Sequence, residues 1–445
     1  MNGIKLVVFD LDGVLLDFCD IHRDSLNDAI FTIAGEKFCI SNDDHILKYN
    51  GLNTRVKLEM LHTNLGLSRD LFDPIFKMKQ MATANAIRST VKPSEELKKI
   101  LGYIRSCGIQ IACATNSIRT TLNSALEQLE IQSFFDFTLS NEDVDLTKPN
   151  PDIYLKCHTL AKVSPNETLI FEDSPIGLQA ARLSKSWVRR VPTPQSLTLD
   201  FVMTPLINIV VPMAGNGSRF SSAGYTDPKP LIPVFGDPMI SWVVKNIHIL
   251  GCRFIFIIRS DYPDSCRAFL ESIAPQCQII TVDKVTEGAA CTVLLSKEII
   301  NNDTPLMIAN SDQYVEFSAD DFVKSFLNNE DELKYSAKIS TFDGNYNPKW
   351  SYVGLTNGVV TEVIEKKAIS THATTGIYLW RHGSDFVKFA EQMISKNIRV
   401  NNEFYVAPVF NEALQSGIMI NISECNRMWG LGVPEDLEYF IQNYR

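Results

Sequence analysis

Two aspartates one residue apart, Asp10 and Asp12, follow the apolar run Leu6-Val7-Val8-Phe9. Side chains two apart in an extended chain point the same way. The two carboxylates would therefore share one space and repel unless a cation lies between them. Taken alone, Asp-x-Asp reads equally well as a solvated turn; the residues farther on shift that balance. Thr115 and Asn116 close a second apolar run, 109–114, with hydroxyl and amide groups suited to phosphate oxygens ahead of a helix N-terminus. Lys148 stands just before Pro149 and Pro151, which stiffen the loop. An ammonium fixed there would neutralise a phosphate and an attacking carboxylate together, although an exposed surface position is the commoner fate of a lysine. Glu172 and Asp173 close another apolar run, 168–171, where they would complete an oxygen-ligand magnesium site with Asp10. A further run, 206–212, leads into Ala214-Gly215-Asn216-Gly217, with Arg219 and Lys229 close behind. Glycines let backbone N–H groups approach phosphate oxygens. Two cations nearby suit a ligand with several negative charges.

These residues must be placed by the elements that precede them. Each apolar run is short and rich in β-branched residues, which reads as a buried parallel strand. The carboxyl ends of such strands are where open α/β sheets carry their chemistry. Strands are expected at 6–9, 109–114, 135–139, 168–171 and 187–191. Residues 18–88 carry helical periodicity instead, beginning with a helix over 17–31 that places Leu26 and Ile30 on one face. A helical insertion straight after a catalytic strand makes sense as a lid that covers a small substrate and excludes water. Another helix starts near Pro93 or Ser94. Prolines at 192, 194 and 205 interrupt regular structure, which marks 193–205 as a linker between a first domain, 1–192, and a second, 206–445.

The chain has 445 residues, too many for one ordinary core. Its net charge of −10 argues against a nucleic-acid groove as the main surface. Ten cysteines and seven histidines form neither Cys-x-x-Cys nor His-x-x-x-His, so no disulfide framework or zinc site is expected and a reducing cytoplasm is. Met1-Asn2-Gly3 leads directly into an apolar strand, which reads as the absence of a signal peptide. No apolar stretch is long enough for membrane insertion, and no internal repeat is evident.

Four strand ends in this order, Asp10-x-Asp12, Thr115-Asn116, Lys148-Pro149 and Glu172-Asp173, resemble the haloacid dehalogenase superfamily of phosphohydrolases over residues 4–192. The insertion is similar to that superfamily's small α-helical cap, here about 16–88, on a Rossmann-like core. The resemblance implies that Asp10 is the nucleophile, passing through an aspartyl-phosphate. It makes Asp12 the general acid and then the base, with Thr115, Asn116 and Lys148 holding the phosphate. It further implies magnesium on Asp10, the Asp12 carbonyl and Asp173, with Glu172 beside them. His22 lies where related β-phosphoglucomutases carry a cap-hinge histidine. Their cap arginine falls at Thr54, with Arg55 one residue on. Phosphatases of the class can also carry that histidine, and a plain helix-surface histidine is a third reading.

The segment Gly215-Asn216-Gly217-Ser218-Arg219 followed by Pro228-Lys229 resembles the sugar-phosphate nucleotidyltransferases, over about 206–440. The implied fold is a mixed-sheet α/β domain of the GT-A-like kind. The resemblance assigns the Ala214–Gly217 loop and Gly288, within Glu287-Gly288-Ala289-Ala290, to the nucleotide, and Asp312 to magnesium. Glu365 and Lys366 correspond to the segment that contacts the sugar phosphate. Thr375 and Gly376 correspond to the strand lining the sugar pocket. Glu403 reads either as a substrate contact or as a capping or surface residue. Gly430 stands where many members carry a second metal aspartate. The reaction implied is attack of a sugar-phosphate oxygen on the α-phosphorus of a nucleoside triphosphate, with release of pyrophosphate.

The leading expectation is a bifunctional cytoplasmic enzyme: a magnesium-dependent phosphatase fused to a nucleotidyltransferase. It would make a nucleotide-activated sugar or polyol, for a surface or capsule polysaccharide, from CTP or from UTP or dTTP. Its partners would be sugar or polyol phosphates and nucleoside triphosphates, with no nucleic acid and no membrane insertion. Three alternatives stay open: a phosphomutase as the first domain, a glycosyltransferase as the second, or a non-catalytic docking module in either place.

Overall fold

The computed structural model describes residues 3–49 and 52–444. They divide into two compact units, Gly3–Thr204 and the remainder from Pro205. Both are α/β, the first with a parallel sheet and the second with a mixed one.

In the first unit, strands β1 (Leu6–Phe9), β2 (Gln110–Ala114), β3 (Phe137–Leu139), β4 (Thr168–Glu172) and β5 (Trp187–Arg190) form one sheet in the order β3-β2-β1-β4-β5. All four pairings are parallel. Every residue of β1 and β4 is buried, as expected of central strands covered on both faces. The helix Glu95–Ser106 is capped by Ser94, whose hydroxyl accepts from the Leu97 N–H. It buries Leu97, Ile100, Leu101 and Ile104.

The insertion after β1 is helical, with Cys19–Ala34, Thr54–Leu65 and Phe72–Thr90 as its main elements. It has a core of its own, built from Leu26, Ile30, Leu58, Leu61, Phe72 and Ile75. Residues 193–204, expected to be linker, are ordered in the first unit. Pro194–Ser196 forms a 3-10 turn and Leu199–Met203 a short helix capped by the Thr198 hydroxyl. Leu197 and Val202 are buried, and the Arg189 guanidinium donates to the carbonyls of Phe201 and Thr204, each at 2.8 Å. Pro194 begins a turn here rather than interrupting the packing, since a fixed φ suits the first residue of a helical turn.

In the second unit, β6 (Ile207–Pro212), β9 (Cys252–Arg259), β10 (Gln278–Val282) and β11 (Leu306–Ala309) pair in parallel. Antiparallel to β11 and β13 (Ala337–Asp343) runs β16 (His372–Trp380). Beyond β13 lies β17 (Ile420–Glu424), in parallel. The hairpin β14 (Tyr352–Thr356) and β15 (Val359–Ile364) joins the sheet through β16. Two small ribbons complete the unit: β7 (Pro233–Val234) with β8 (Asp237–Pro238), and β12 (Gln313–Val315) with β18 (Met428–Gly430). Among the described residues, no helix is long and apolar enough to cross a membrane.

Candidate active sites

In the first unit the ends of β1, β2 and β4 open into one cavity of about 530 Å³. Lys148 is its electrostatic centre. The Nζ donates to Asp10 Oδ1 at 2.6 Å, Glu172 Oε1 at 2.6 Å and the Ala114 carbonyl at 2.9 Å, so all three N–H groups are used. The side chain is only 3% exposed. Burial opposes its charge, but Asp10 and Glu172 outweigh burial and hold the ammonium above its ordinary pKa. Asn116, expected as a phosphate contact, spends its side-chain amide on both backbone groups of Lys148. It thereby fixes the loop that carries the ammonium. Thr115 is buried, lines the cavity, and accepts the Ser117 N–H at 3.1 Å.

The carboxylates differ in their surroundings. Glu172 is saturated: Oε1 accepts from Lys148 and from the Tyr154 hydroxyl, and Oε2 from the Asp173 N–H. Oδ1 of Asp173 is buried with no hydrogen-bond partner. Oxygens of Asp10, Glu172 and Asp173 lie within 4.8 Å of one another. A hard divalent cation fits this donor set, because it would satisfy the orphaned oxygen and relieve the mutual repulsion. Glu172 already accepts on both oxygens, whereas Asp10 accepts from Lys148 through Oδ1, so Asp10 and Asp173 are the carboxylates placed to hold it. Burial pushes Asp10 up, against the pull of Lys148. Burial likewise carries Asp173 to about 7.

Asp12 lies outside that triad. Oδ1 accepts the Phe18 N–H at 2.7 Å, and Oδ2 lies 3.6 Å from His22 Nε2. Burial raises it to about 7, so near neutral pH it can both give and take a proton. His22 is neutral: burial, then Lys79 and Lys57, drive its pKa well down. While Lys79 is charged, its Nζ, 3.2 Å from His22 Nδ1, can only donate, so Nδ1 accepts and the Nε2–H faces Asp12.

In the second unit a cavity of about 450 Å³ opens beyond β6 and β11. Gly215, Gly217, Arg219, Lys229, Asp312, Glu365, Thr375 and Gly376 all line it. Lys229 Nζ lies 2.5 Å from Asp312 Oδ2. Of the other expected nucleotide contacts, Ala214 is buried and Asn216 accepts from Arg259 at 2.6 Å. Gly288 does not line the cavity; its neighbour Ala289 does. At φ +139°, a Cβ on Gly288 would stand 2.4 Å from the Phe404 carbonyl oxygen, so glycine is required there for backbone packing. Glu365 is bonded to the Ser351 hydroxyl, and burial raises its pKa. Lys366 Nζ donates to the Tyr405 hydroxyl at 2.5 Å, and it is Tyr405 that lines the cavity. Burial, followed by the Glu403 carboxylate, keeps that hydroxyl above its ordinary pKa. Glu403 is therefore one step removed from the cavity wall.

Gly430 pairs with Gln313 across the β12–β18 ribbon. A Cβ there would meet Asp436 Oδ2 at 3.1 Å. Asp436, in the first turn of the helix Pro434–Asn443, lines the cavity and accepts from Lys349 at 3.0 Å. The carboxylates on this wall, Asp312 and Asp436, are each held by a lysine. No third ligand gathers around Asp312 among the described residues.

The sequence reading did not pick out Lys57, Lys79 or His45 in the first cavity region, nor Lys349, Tyr405 or Asp436 in the second. A signal existed for Lys79. It falls in register with Ile75, Thr83 and Ile87 at four-residue spacing on the buried stripe of its helix, where a lysine is out of place.

Family comparisons agree with these two geometries. Residues 7–188 match the haloacid dehalogenase-like hydrolase family, and residues 209–416 match the nucleotidyl transferase family. The chain carries one domain of each. It is an enzyme with hydrolase and transferase activities. A phosphorylated carbohydrates phosphatase of Thermotoga maritima is 25% identical over 179 residues, 40% of this chain and 81% of the relative. A fructose-1-phosphate phosphatase of Escherichia coli is 27% identical over 179 residues, 40% of this chain and 90% of the relative. Among solved structures, a nucleoside-diphosphate-sugar pyrophosphorylase of Vibrio cholerae RC9 matches 53% of this chain and 100% of its own at 24% identity and a TM-score of 0.44.

Proposed function

We propose that the hydrolase domain is a magnesium-dependent phosphatase of sugar or polyol phosphates. The transferase domain then joins a sugar or polyol phosphate to a nucleoside triphosphate and releases pyrophosphate. The observation that supports both halves is convergence of fixed cations on carboxylates where parallel strands end: Lys148 on Asp10 and Glu172, and Lys229 on Asp312. Phosphoryl and nucleotidyl transfer are mainly positioning and charge neutralisation, and both cavities are built for that.

In the first domain the Asp10 carboxylate attacks the phosphorus while the bond to the leaving oxygen breaks, giving an aspartyl-phosphate. Asp12 protonates the leaving oxygen and then takes a proton from the water that hydrolyses the intermediate. Lys148 and Thr115 hold the phosphate oxygens, and Asn116 and Glu172 hold Lys148. Magnesium, carried by Asp10 and Asp173, would supply Lewis-acid neutralisation of the phosphate. In the second domain an oxygen of the incoming phosphate attacks the α-phosphorus, and the α–β bridge breaks to release pyrophosphate. Lys229 bridges the α-phosphate and the incoming phosphate, and Arg219 neutralises the leaving pyrophosphate. Asp312 would hold the magnesium that accompanies the triphosphate. Substrates of this kind place the enzyme in the cytoplasm and in the making of activated sugars or polyols, as for a capsule polysaccharide.

The test is a matrix of CTP, UTP, dTTP, ATP and GTP against sugar and polyol phosphates, read for pyrophosphate, with inorganic phosphate release read in parallel. One nucleotide–acceptor pair should stand well above the rest. Transfer of sugar from a preformed nucleotide-sugar without any pyrophosphate formation would instead make the second domain a glycosyltransferase.

A further inference from the structure

Lys148 is fully engaged before any substrate arrives. Its three N–H groups go to Asp10 Oδ1, Glu172 Oε1 and the Ala114 carbonyl, and an ammonium has no fourth. It can turn one toward a phosphate oxygen only by giving up one of these acceptors. Asp10 is the attacking carboxylate, which must stay neutralised beside the incoming phosphate. The Ala114 carbonyl closes a strand that is buried to its end, where a backbone acceptor stripped of a donor is costly. Glu172 Oε1 differs from both, because a second side-chain donor already stands on it: the Tyr154 hydroxyl, at 2.7 Å.

Tyr154 lies on the helix Asp152–Ala161, which begins shortly after Lys148, and it is buried. It touches both members of the ion pair. The hydroxyl donates to Glu172, and the ring centroid lies 4.9 Å from Lys148 Nζ, a distance at which the ring face attracts a cation. The Glu172 carboxylate has no freedom to follow the ammonium. A Cβ on Gly177 would stand 2.0–2.1 Å from its carbon and both oxygens, so the group lies against the first turn of the helix Pro175–Leu183. Its Oε2 also accepts the Asp173 N–H at 3.1 Å. Movement within the pair therefore falls to Lys148, whose stem is flexible. With Tyr154 in place, Oε1 keeps a donor after Lys148 has turned away. Without it, among the described residues, that buried oxygen would have none.

Resting on the phosphatase reading above, we infer that Tyr154 is a positioning residue of the first domain: its hydroxyl keeps Glu172 satisfied while Lys148 turns one N–H from that carboxylate to the substrate phosphate. No proton is transferred and no bond to Tyr154 forms. Lys148 keeps its contact with Asp10 throughout, so one ammonium neutralises both the nucleophile and the group it attacks. The contact to phosphate is made on binding and persists in the transition state. Tyr154 therefore contributes to binding more than to turnover.

The test uses the full chain with saturating magnesium. Phosphate release is read as kcat and KM on the sugar or polyol phosphate that the parent hydrolyses fastest, and the affinity for inorganic phosphate is read by calorimetry. Tyr154→Phe keeps the ring and removes only the hydroxyl. KM and the dissociation constant of inorganic phosphate should each rise about 10-fold, the scale of one hydrogen bond to a charged group. The kcat should stay within about threefold of the parent. In Glu172→Gln the hold on Lys148 is already weakened, so adding Tyr154→Phe should shift phosphate affinity by less than about twofold. Glu172→Gln alone gives an independent reading: with the competing acceptor neutral, inorganic phosphate should bind more tightly than to the parent. A tyrosine that only packs its helix would lower the unfolding temperature and leave both phosphate constants unchanged, and that result would overturn the inference. So would a loss confined to kcat, an undiminished effect of Tyr154→Phe in the Glu172→Gln background, or weaker phosphate binding by Glu172→Gln. Each of these leaves the phosphatase reading intact. Absence of phosphate release by the parent from every ester would instead sink that reading and the inference together.

Discussion

Replacing Lys148 by methionine should unbalance the first site more than any other single change. The ammonium lies 2.6 Å from both Asp10 Oδ1 and Glu172 Oε1, inside a region with almost no solvent. At an effective dielectric constant of about 20, each contact has a Coulomb energy of roughly 6 kcal/mol. Desolvating the lysine offsets several kcal/mol of that sum. Breaking a buried pair by removing one partner typically costs about 3–5 kcal/mol, because the other partner is left buried and uncompensated. Here two carboxylates are left, with Asp173 beside them, so a loss near the top of that range is expected. The assay is guanidinium unfolding of the full chain in chelator, followed by hydrogen exchange in peptides from β1 and β4. Adding magnesium at about 100 times its dissociation constant should restore roughly 2.7 kcal/mol by mass action. Phosphate release should fall by about 10²–10³-fold even with magnesium present, as when a fixed transition-state donor is lost. Pyrophosphate formation should not change. A variant that unfolds within about 1 kcal/mol of the parent in chelator would show that Lys148 does not carry the charge balance described here, whatever its effect on rate.

The two chemistries should separate by mutation. Asp10→Asn should abolish phosphate release and leave pyrophosphate formation within twofold of the parent. Lys229→Ala should do the reverse, lowering pyrophosphate formation by about 10³-fold; a shared loss in either variant would contradict two independent sites. Gly288→Ala should destabilise the second unit by about 2–3 kcal/mol, because the new Cβ meets the Phe404 backbone at 2.4–2.5 Å. Thermal unfolding checks it, and a change under 0.5 kcal/mol would be incompatible with that packing. Lys79 gives a pH signature. Its folded pKa of about 7 lies below the unfolded value of 10.5, so between them the unfolded chain binds more protons and stability rises with pH. The substrate-free first unit should therefore grow more protected from exchange between pH 7 and 9.5, and Lys79→Met should flatten that slope.

Much of this protein could be read from local patterns. Short apolar runs ending in Asp10-x-Asp12, Thr115 and Glu172-Asp173 specified parallel strands whose ends open into one cavity, because a strand's end determines where its next side chain emerges. Apolar periodicity likewise announced a helical insertion with its own core, in which Leu26 and Ile30 are buried. Gly215-x-Gly217, Arg219 and Lys229 announced the second cavity in the same way. The tertiary structure alone decided how the charges are partnered. Asn116 clamps a backbone 32 residues away, and Asp436 comes to lie over Gly430. Lys79 is paired with a neutral histidine rather than a carboxylate. Electrostatic partnership depends on distance and burial between residues far apart in the chain, and neither quantity is carried by residue type and spacing.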